Sequence, residues 1–153
     1  MKLSIISFVV ILLSCSIEKN QNSEDFDRFN KFLNLKKITT NTVVRENKAI
    51  LFIPVEGCET CVSKCVIFMK NNKKKFSVIL GATRKEIKSF IKKNSIDLKG
   101  NLFIDNDATS LKIGVYSGFP YILYLDNEMN VKRHISLNVL NIDKELDELK
   151  LFQ

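Results

Sequence analysis

The chain has 153 residues, room for one domain. Hydrophobic residues make up 45%, while Gly (5) and Pro (2) are scarce, which excludes a low-complexity chain and permits a core that needs no disulfide staples. The net charge of +7 comes from lysines scattered among asparagines, with one run at Lys73-Lys74-Lys75; a nucleic-acid surface would cluster Arg with stacking aromatics, so no nucleic-acid partner is expected.

Met1-Lys2-Leu3 opens with one positive charge, and residues 3–13 are almost wholly apolar. That run is too short to span a bilayer but suits the core of a signal peptide. It ends in Leu12-Leu13-Ser14-Cys15, which resembles the lipobox of bacterial lipoprotein signal peptides. The resemblance implies that residues 1–14 are removed and that Cys15 is acylated. Residues 15–23 then form a lipidated tether ahead of a domain over 24–153. It also implies a membrane-anchored protein outside the cytoplasm, facing the periplasm or the cell surface, where disulfide chemistry is permitted. An ordinary secretory signal with a chance cysteine is the plainer alternative.

Ser23 is placed to cap a helix with Glu24 and Asp25 in its first turn, and Phe26, Phe29, Phe32 and Leu33 recur at helical spacing as core residues. Residues 38–44 are rich in β-branched side chains and predict a strand. Residues 49–55 predict a second strand, continuous enough in apolar residues to be buried on both faces. Val62, Cys65, Val66 and Met69 then keep a helical spacing, and Phe76 to Ala82 reads as another buried strand. Thr83-Arg84-Lys85-Glu86 has the form of a capping box for a helix that buries Ile87, Phe90 and Ile91. Gly100 precedes a short strand, Asn101 to Asp105. A brief helix over 107–114 follows, with Asp107 as cap and Leu111 and Ile113 buried. After Gly118-Phe119-Pro120 come a strand at Tyr121 to Leu125, a turn at Asp126 to Asn130 and a strand at Val131 to Leu137. The short link makes the last two strands an antiparallel hairpin, and Ile142, Leu146 and Leu149 mark a final helix.

Chemistry concentrates at Gly57-Cys58-Glu59-Thr60-Cys61, on the turn between a strand and a helix, with Cys65 one helical turn further on. Three clustered cysteines are not a structural disulfide framework. A closed zinc site wants four ligands, and no second Cys or His pair is present to complete one. A static disulfide and a redox-active Cys58–Cys61 pair both remain.

The order strand, Cys-x-x-Cys helix, strand, helix, strand, short helix, proline, hairpin, helix resembles the thioredoxin fold, and in particular the TlpA/ResA-like membrane-tethered thiol–disulfide oxidoreductases. The likeness covers residues 42–149. It rests on Cys58 and Cys61 at the strand–helix turn, on Pro120 opening Tyr121-Ile122-Leu123-Tyr124-Leu125-Asp126, and on the run from Asn101 to Val115. It implies an α/β protein, a three-layer α/β/α sandwich around a mixed sheet with a C-terminal antiparallel hairpin. It further implies that Cys58 is the nucleophile, that Cys61 resolves, and that the two form a disulfide. Pro120 is then cis against them, with Gly57 and Phe119 lining the substrate groove. No cofactor is implied. The expected partners are thiols and disulfides of exported proteins or a membrane electron donor, and the protein is expected to be a monomer. Family members usually carry Trp where this chain has Gly57, and thioredoxins place a buried acid where it has Phe52. A turn glycine is usual where Asn130 stands, and Asn tolerates the left-handed conformation.

A helix N-terminus favours a thiolate at Cys58. Glu59 works against it by like charge and Lys64 offsets Glu59, so a reducing rather than strongly oxidising pair is expected. Cys65 reads as a buried thiol acting as a small apolar residue. Two other readings stay open. Cys61-x-x-x-Cys65 has the spacing of Sco-like copper proteins, although His134, the sole histidine, falls in the last strand rather than just before the proline strand. The domain could also serve only as a redox-inactive binding lipoprotein.

Overall fold

The computed structural model describes residues 23–72, 77–82, 84–97 and 101–151. The expected leader, Cys15, the lysine run at 73–75, and Thr83 and Gly100 lie outside the described residues. Among the described residues no helix is long and apolar enough to cross a membrane.

Ala49–Pro54 is buried at every position and forms strand β1, the middle of the sheet. It pairs in parallel with β2 (Ser77–Gly81) and antiparallel with β4 (Tyr121–Leu125). β3 (Leu102–Asp105) extends the sheet in parallel beyond β2, and β5 (Val131–Ser136) closes the other edge as a hairpin with β4. The order is β3-β2-β1-β4-β5, a mixed sheet with the antiparallel hairpin at its C-terminal edge.

Side chains alternate across a strand, so β1 feeds two separate cores. Ala49, Leu51 and Ile53 pack with Cys61, Cys65, Val66 and Leu146 on one face. Ile50 and Phe52 pack with Phe29, Phe32, Leu33 and Tyr121 on the other. Helix α1 (residues 23–35) covers the second face, as its aromatic stripe predicts, and the Asn30 side chain accepts the Val131 N–H at 2.7 Å to fix it against β5. On the first face lie α3 (Glu59–Asn71), α4 (Arg84–Lys93) and α6 (Ile142–Leu151). Parallel crossovers are right-handed, so β1-α3-β2 and β2-α4-β3, which step the same way across the sheet, put both helices on one side. The result is the expected α/β/α sandwich.

Three local expectations are corrected. Residues 38–44 form no strand. Ile38–Thr40 is a 3-10 turn and Thr42–Asn47 is helix α2. The Asn41 side chain starts that helix by accepting from Val43 N (2.9 Å) and Val44 N (3.3 Å), and β1 is already paired on both sides, so the β-branched bias is overridden. In the short helix α5 (Thr109–Ile113), Asp107 is not the cap. Asp105 accepts from Thr109 N (3.0 Å), Ser110 N (2.8 Å) and Ser110 Oγ (2.5 Å), and Leu111 is 60% exposed while Ser110 is buried. In the hairpin the left-handed residue is Met129 (φ 70°), not Asn130, because Asp126 Oδ1 accepts from both Glu128 N and Asn130 N.

Candidate redox site

The β1 strand ends at Pro54 and the chain turns sharply through Val55, Glu56 and Gly57 before α3 begins at Glu59. Cys58 is therefore the residue at the head of α3, where backbone N–H groups lack helical partners. Its own N–H donates to the Gly118 carbonyl at 2.8 Å, which ties the cysteine turn to the loop before β4. Gly57 sits in this junction. A Cβ there would stand 2.7 Å from the Gly118 carbonyl oxygen and 2.7 Å from Pro54 Cγ, too close for any side chain without movement. A glycine at this position is thus required by the close approach of the two loops.

The loop itself is held locally. Ser117 Oγ donates to the Phe119 carbonyl (2.9 Å) and accepts the Phe119 N–H (3.0 Å). Phe119 is exposed beside the site and Pro120 is buried, its carbonyl accepting from Leu137 N at 2.7 Å. The Phe119–Pro120 bond is trans, which corrects the cis bond implied by the resemblance. Trans is the lower-energy isomer of an X–Pro bond by about 0.5–1 kcal/mol. This loop reaches Cys58 through the Gly118 carbonyl in the trans form.

All three described cysteines are free thiols; Cys58 is half-buried, and Cys61 and Cys65 have no exposed surface. The Cys58 and Cys61 thiols are hydrogen-bonded to each other. That contact, followed by the Cys61 and Thr60 backbone N–H groups, holds the Cys58 thiol below its ordinary range. Cys61 is pushed the other way, up to about 11, first by burial and then by its hydrogen bond and charge interaction with Cys58. Burial pushes Cys65, deeper in the core, up to about 12. Glu59 is exposed, where water screens its charge. Lys64 acts on Cys61 rather than Cys58, easing its ionisation from an ion pair with Asp143 of α6 at 2.5 Å.

The Phe52 ring is fully buried and stacks on Tyr121 with centroids 4.5 Å apart and planes within 4°. It belongs to the face opposite the thiols and crowds the Cα of Gly81, where a Cβ would meet it at 2.2 Å. An acid at this position would not face Cys61. His134 pairs with Leu123 across the hairpin and packs against Phe29 (4.9 Å) and Tyr121 (5.1 Å), so it too lies on the far face from Cys61 and Cys65. Partial burial there lowers its pKa. The copper pattern therefore lacks its histidine, and among the described residues no three His, Cys, Asp or Glu side chains gather to hold a metal ion.

One feature near the cysteine turn carries no sequence signal. The carboxyls of Glu56 and Glu86 share a hydrogen bond, which raises the Glu56 pKa, and the Glu56 backbone N–H meets the Tyr116 hydroxyl. These residues follow β1, open α4 and precede the Gly118 loop, and only the sheet brings them together.

No family model matches the chain, and no curated protein matches it. Solved structures do. A candidate thiol:disulfide interchange protein DsbE from Chlorobium tepidum is 16% identical, covering 67% of this chain and 76% of its own, with a TM-score of 0.45. StoA from Bacillus subtilis is 13% identical over 67% of this chain and 80% of its own, with a TM-score of 0.45. The thioredoxin domain of a thiol-disulfide oxidoreductase from Bacteroides vulgatus is 18% identical over 68% of this chain and 80% of its own, with a TM-score of 0.42. Identities and scores this low carry no argument about activity. The mixed sheet in the order β3-β2-β1-β4-β5, with helices on both faces and Cys-x-x-Cys at the head of the helix after its central strand, makes this a thioredoxin-like fold.

Proposed function

We propose that the protein is a thiol–disulfide oxidoreductase, anchored by acylated Cys15 outside the cytoplasm, that reduces or exchanges disulfides of exported proteins or passes electrons to another thiol protein, with a membrane electron donor as a further partner. The observation that supports this reading is the split between two touching thiols, Cys58 lowered at the helix head and Cys61 raised to about 11 behind it. Such a pair assigns the roles of attack and resolution.

In the reducing direction the Cys58 thiolate attacks one sulfur of the partner's disulfide. A Cys58–partner bond forms, and the partner's other sulfur leaves as a thiolate that takes up a proton. Cys61 then loses its proton and attacks Cys58 Sγ. The Cys58–Cys61 disulfide forms, the second partner sulfur leaves, and two electrons have passed to the partner. Two of the causes that hold the Cys61 proton, its hydrogen bond and charge interaction with Cys58, vanish once Cys58 is in a mixed disulfide. Cys61 therefore becomes easier to ionise when its attack is needed.

Redox titration of the full chain with thiol counting tests this. A two-electron couple on Cys58 and Cys61 is expected, and Cys61→Ala should accumulate a mixed disulfide on Cys58. A chain whose thiols titrate independently, with no trapped adduct, would remove the proposal.

A further inference from the structure

The turn that carries Cys58 is held by its backbone, and each of its N–H groups has a different acceptor. Val55 N donates to the Gly81 carbonyl at the end of β2 (3.0 Å), Gly57 N to Pro54 O within the turn (3.3 Å), and Cys58 N to the Gly118 carbonyl (2.8 Å). The Glu56 N–H goes to the Tyr116 hydroxyl oxygen. Four consecutive donors are therefore satisfied, and only at Glu56 is the acceptor a side chain. Tyr116 is itself fixed at two points. Its N–H donates to Ser110 O of α5 at 3.1 Å, and its half-buried ring meets Phe52 edge-on with centroids 6.2 Å apart. The hydroxyl is thus delivered to the turn by a ring anchored in the aromatic core. Residues 116–118 meet residues 56–58 twice, Tyr116 on Glu56 and Gly118 on Cys58. Between those two bonds Gly57 lies so near the Gly118 carbonyl that a Cβ would stand 2.7 Å from it. A displacement at Glu56 is therefore passed on to Cys58, two residues along.

We infer that Tyr116 is a positioning residue: by accepting the Glu56 N–H, its hydroxyl fixes the turn through which Cys58 enters α3 and so keeps the Cys58 thiol against that of Cys61. The inference deepens the exchange reading above and rests on it for its place in the reaction, because that contact is what sets the attacking thiol apart from the resolving one. Glu56 is exposed, so water takes its N–H when the hydroxyl is gone. Loss of the hydroxyl therefore costs alignment of the turn and leaves no buried donor unpaired.

The test is Tyr116→Phe in the reduced full chain, which removes the acceptor and keeps a ring against Phe52. One neutral hydrogen bond biases such an arrangement by about two- to tenfold. Alkylation of Cys58 by iodoacetamide at neutral pH should slow by about that factor, and the midpoint of its pH profile should move upward. The same substitution in Cys61→Ala, where no second thiol is left to hold Cys58 against, should change the Cys58 profile no further. That non-additivity separates positioning from a general loss of stability, which acts alike in both backgrounds. An unchanged profile in Tyr116→Phe, or an equal shift in both backgrounds, would overturn the inference and leave the exchange reading standing. Alkylation needs no disulfide partner. Chains that alkylate as expected but exchange with no disulfide, hydroxyethyl disulfide included, would remove the exchange reading and support the hold of Tyr116 on Cys58.

Discussion

The two faces of the sheet are built from different materials. The face behind β1 at Phe52 is aromatic and tightly located. Phe32 meets Phe52 edge-on at 6.2 Å, Phe52 stacks on Tyr121 at 4.5 Å, and Tyr121 meets Phe29 at 5.3 Å and donates its hydroxyl to Val115 O at 3.0 Å. The same side carries the Asp105 network, in which Lys36 pairs with Asp105 at 2.8 Å and also with Asp107, whose carboxyl it holds below the usual range. The face behind Leu51 and Ile53 is aliphatic and sulfur-rich, with Cys61, Cys65 and Met69 among valines and leucines. The Asp105 network is on one side and every described thiol on the other. The thiol face receives no carboxylate from β1.

Breaking the stacked face should have the largest effect. Asp105→Ala removes a carboxylate that is 1% exposed and leaves Lys36, Ser110 and two backbone N–H groups without it. Loss of one partner of a buried pair costs about 3–5 kcal/mol. Urea unfolding should show that loss, while thiol exchange in the remaining folded protein stays close to wild type. Phe52→Asp sharpens the contrast: it should cost at least as much stability and give no faster exchange, because it places the acid on the face away from Cys61. Faster exchange in that variant would mean that the two faces communicate.

The thiol face has its own signature in alkali. Cys65 is held up to about 12 in the fold, against an ordinary thiol pKa of about 8.5 in the unfolded chain. Below the unfolded value both states keep the proton and the contribution to stability is intact. As pH rises through it, the unfolded chain releases the proton first, and stability falls by about 1.4 kcal/mol per pH unit until the folded thiol ionises too. Cys61, held up to about 11, adds to the same fall. Unfolding free energies between neutral pH and alkali should therefore drop steeply in the wild type and less so in Cys65→Ala.

Sequence periodicity made most of this architecture legible. The continuous run over Ala49–Pro54 announced a central strand, and Val62, Cys65, Val66 and Met69 gave the inward face of α3 because each set reflects burial of one surface. What could not be read were choices that depend on neighbours distant in sequence. Thr42–Asn47 is helical because Asn41 caps it and because β4, far along the chain, already occupies the side of β1. Asp105 rather than Asp107 caps α5 because its carboxylate, at the end of β3, is the one that accepts from Thr109 N and Ser110 N. Gly57 gave no hint of its role, since the atoms that exclude a side chain there belong to Gly118 and Pro54. The Glu56–Glu86 contact arises only where β1 and β2 end side by side.

A smaller test concerns the link between the two thiols. The first cause of the lowered Cys58 pKa is its hydrogen bond from Cys61. Cys61→Ala should move the midpoint of the iodoacetamide alkylation profile of Cys58 upward in pH, toward that of an ordinary thiol. If the midpoint does not move, the backbone N–H groups at the head of α3 carry the shift alone.

The smallest expected effect is that of Lys64. Its ion pair with Asp143 joins α3 to α6 at 2.5 Å, but both side chains are largely exposed, at 38% and 73%. Exposed pairs contribute about 0–1 kcal/mol, so Lys64→Gln should slow release of a trapped partner from Cys58 by at most about fivefold. The cause is specific: Lys64 eases ionisation of Cys61, not of Cys58, so the first attack should keep its rate while the resolving step slows. Salt screens a charge at this exposure. Adding salt to the wild type should therefore approach the Lys64→Gln rate and leave that variant unaffected. If both steps slow together, Lys64 acts by supporting the packing of α3 on α6 rather than through its charge on the resolving thiol.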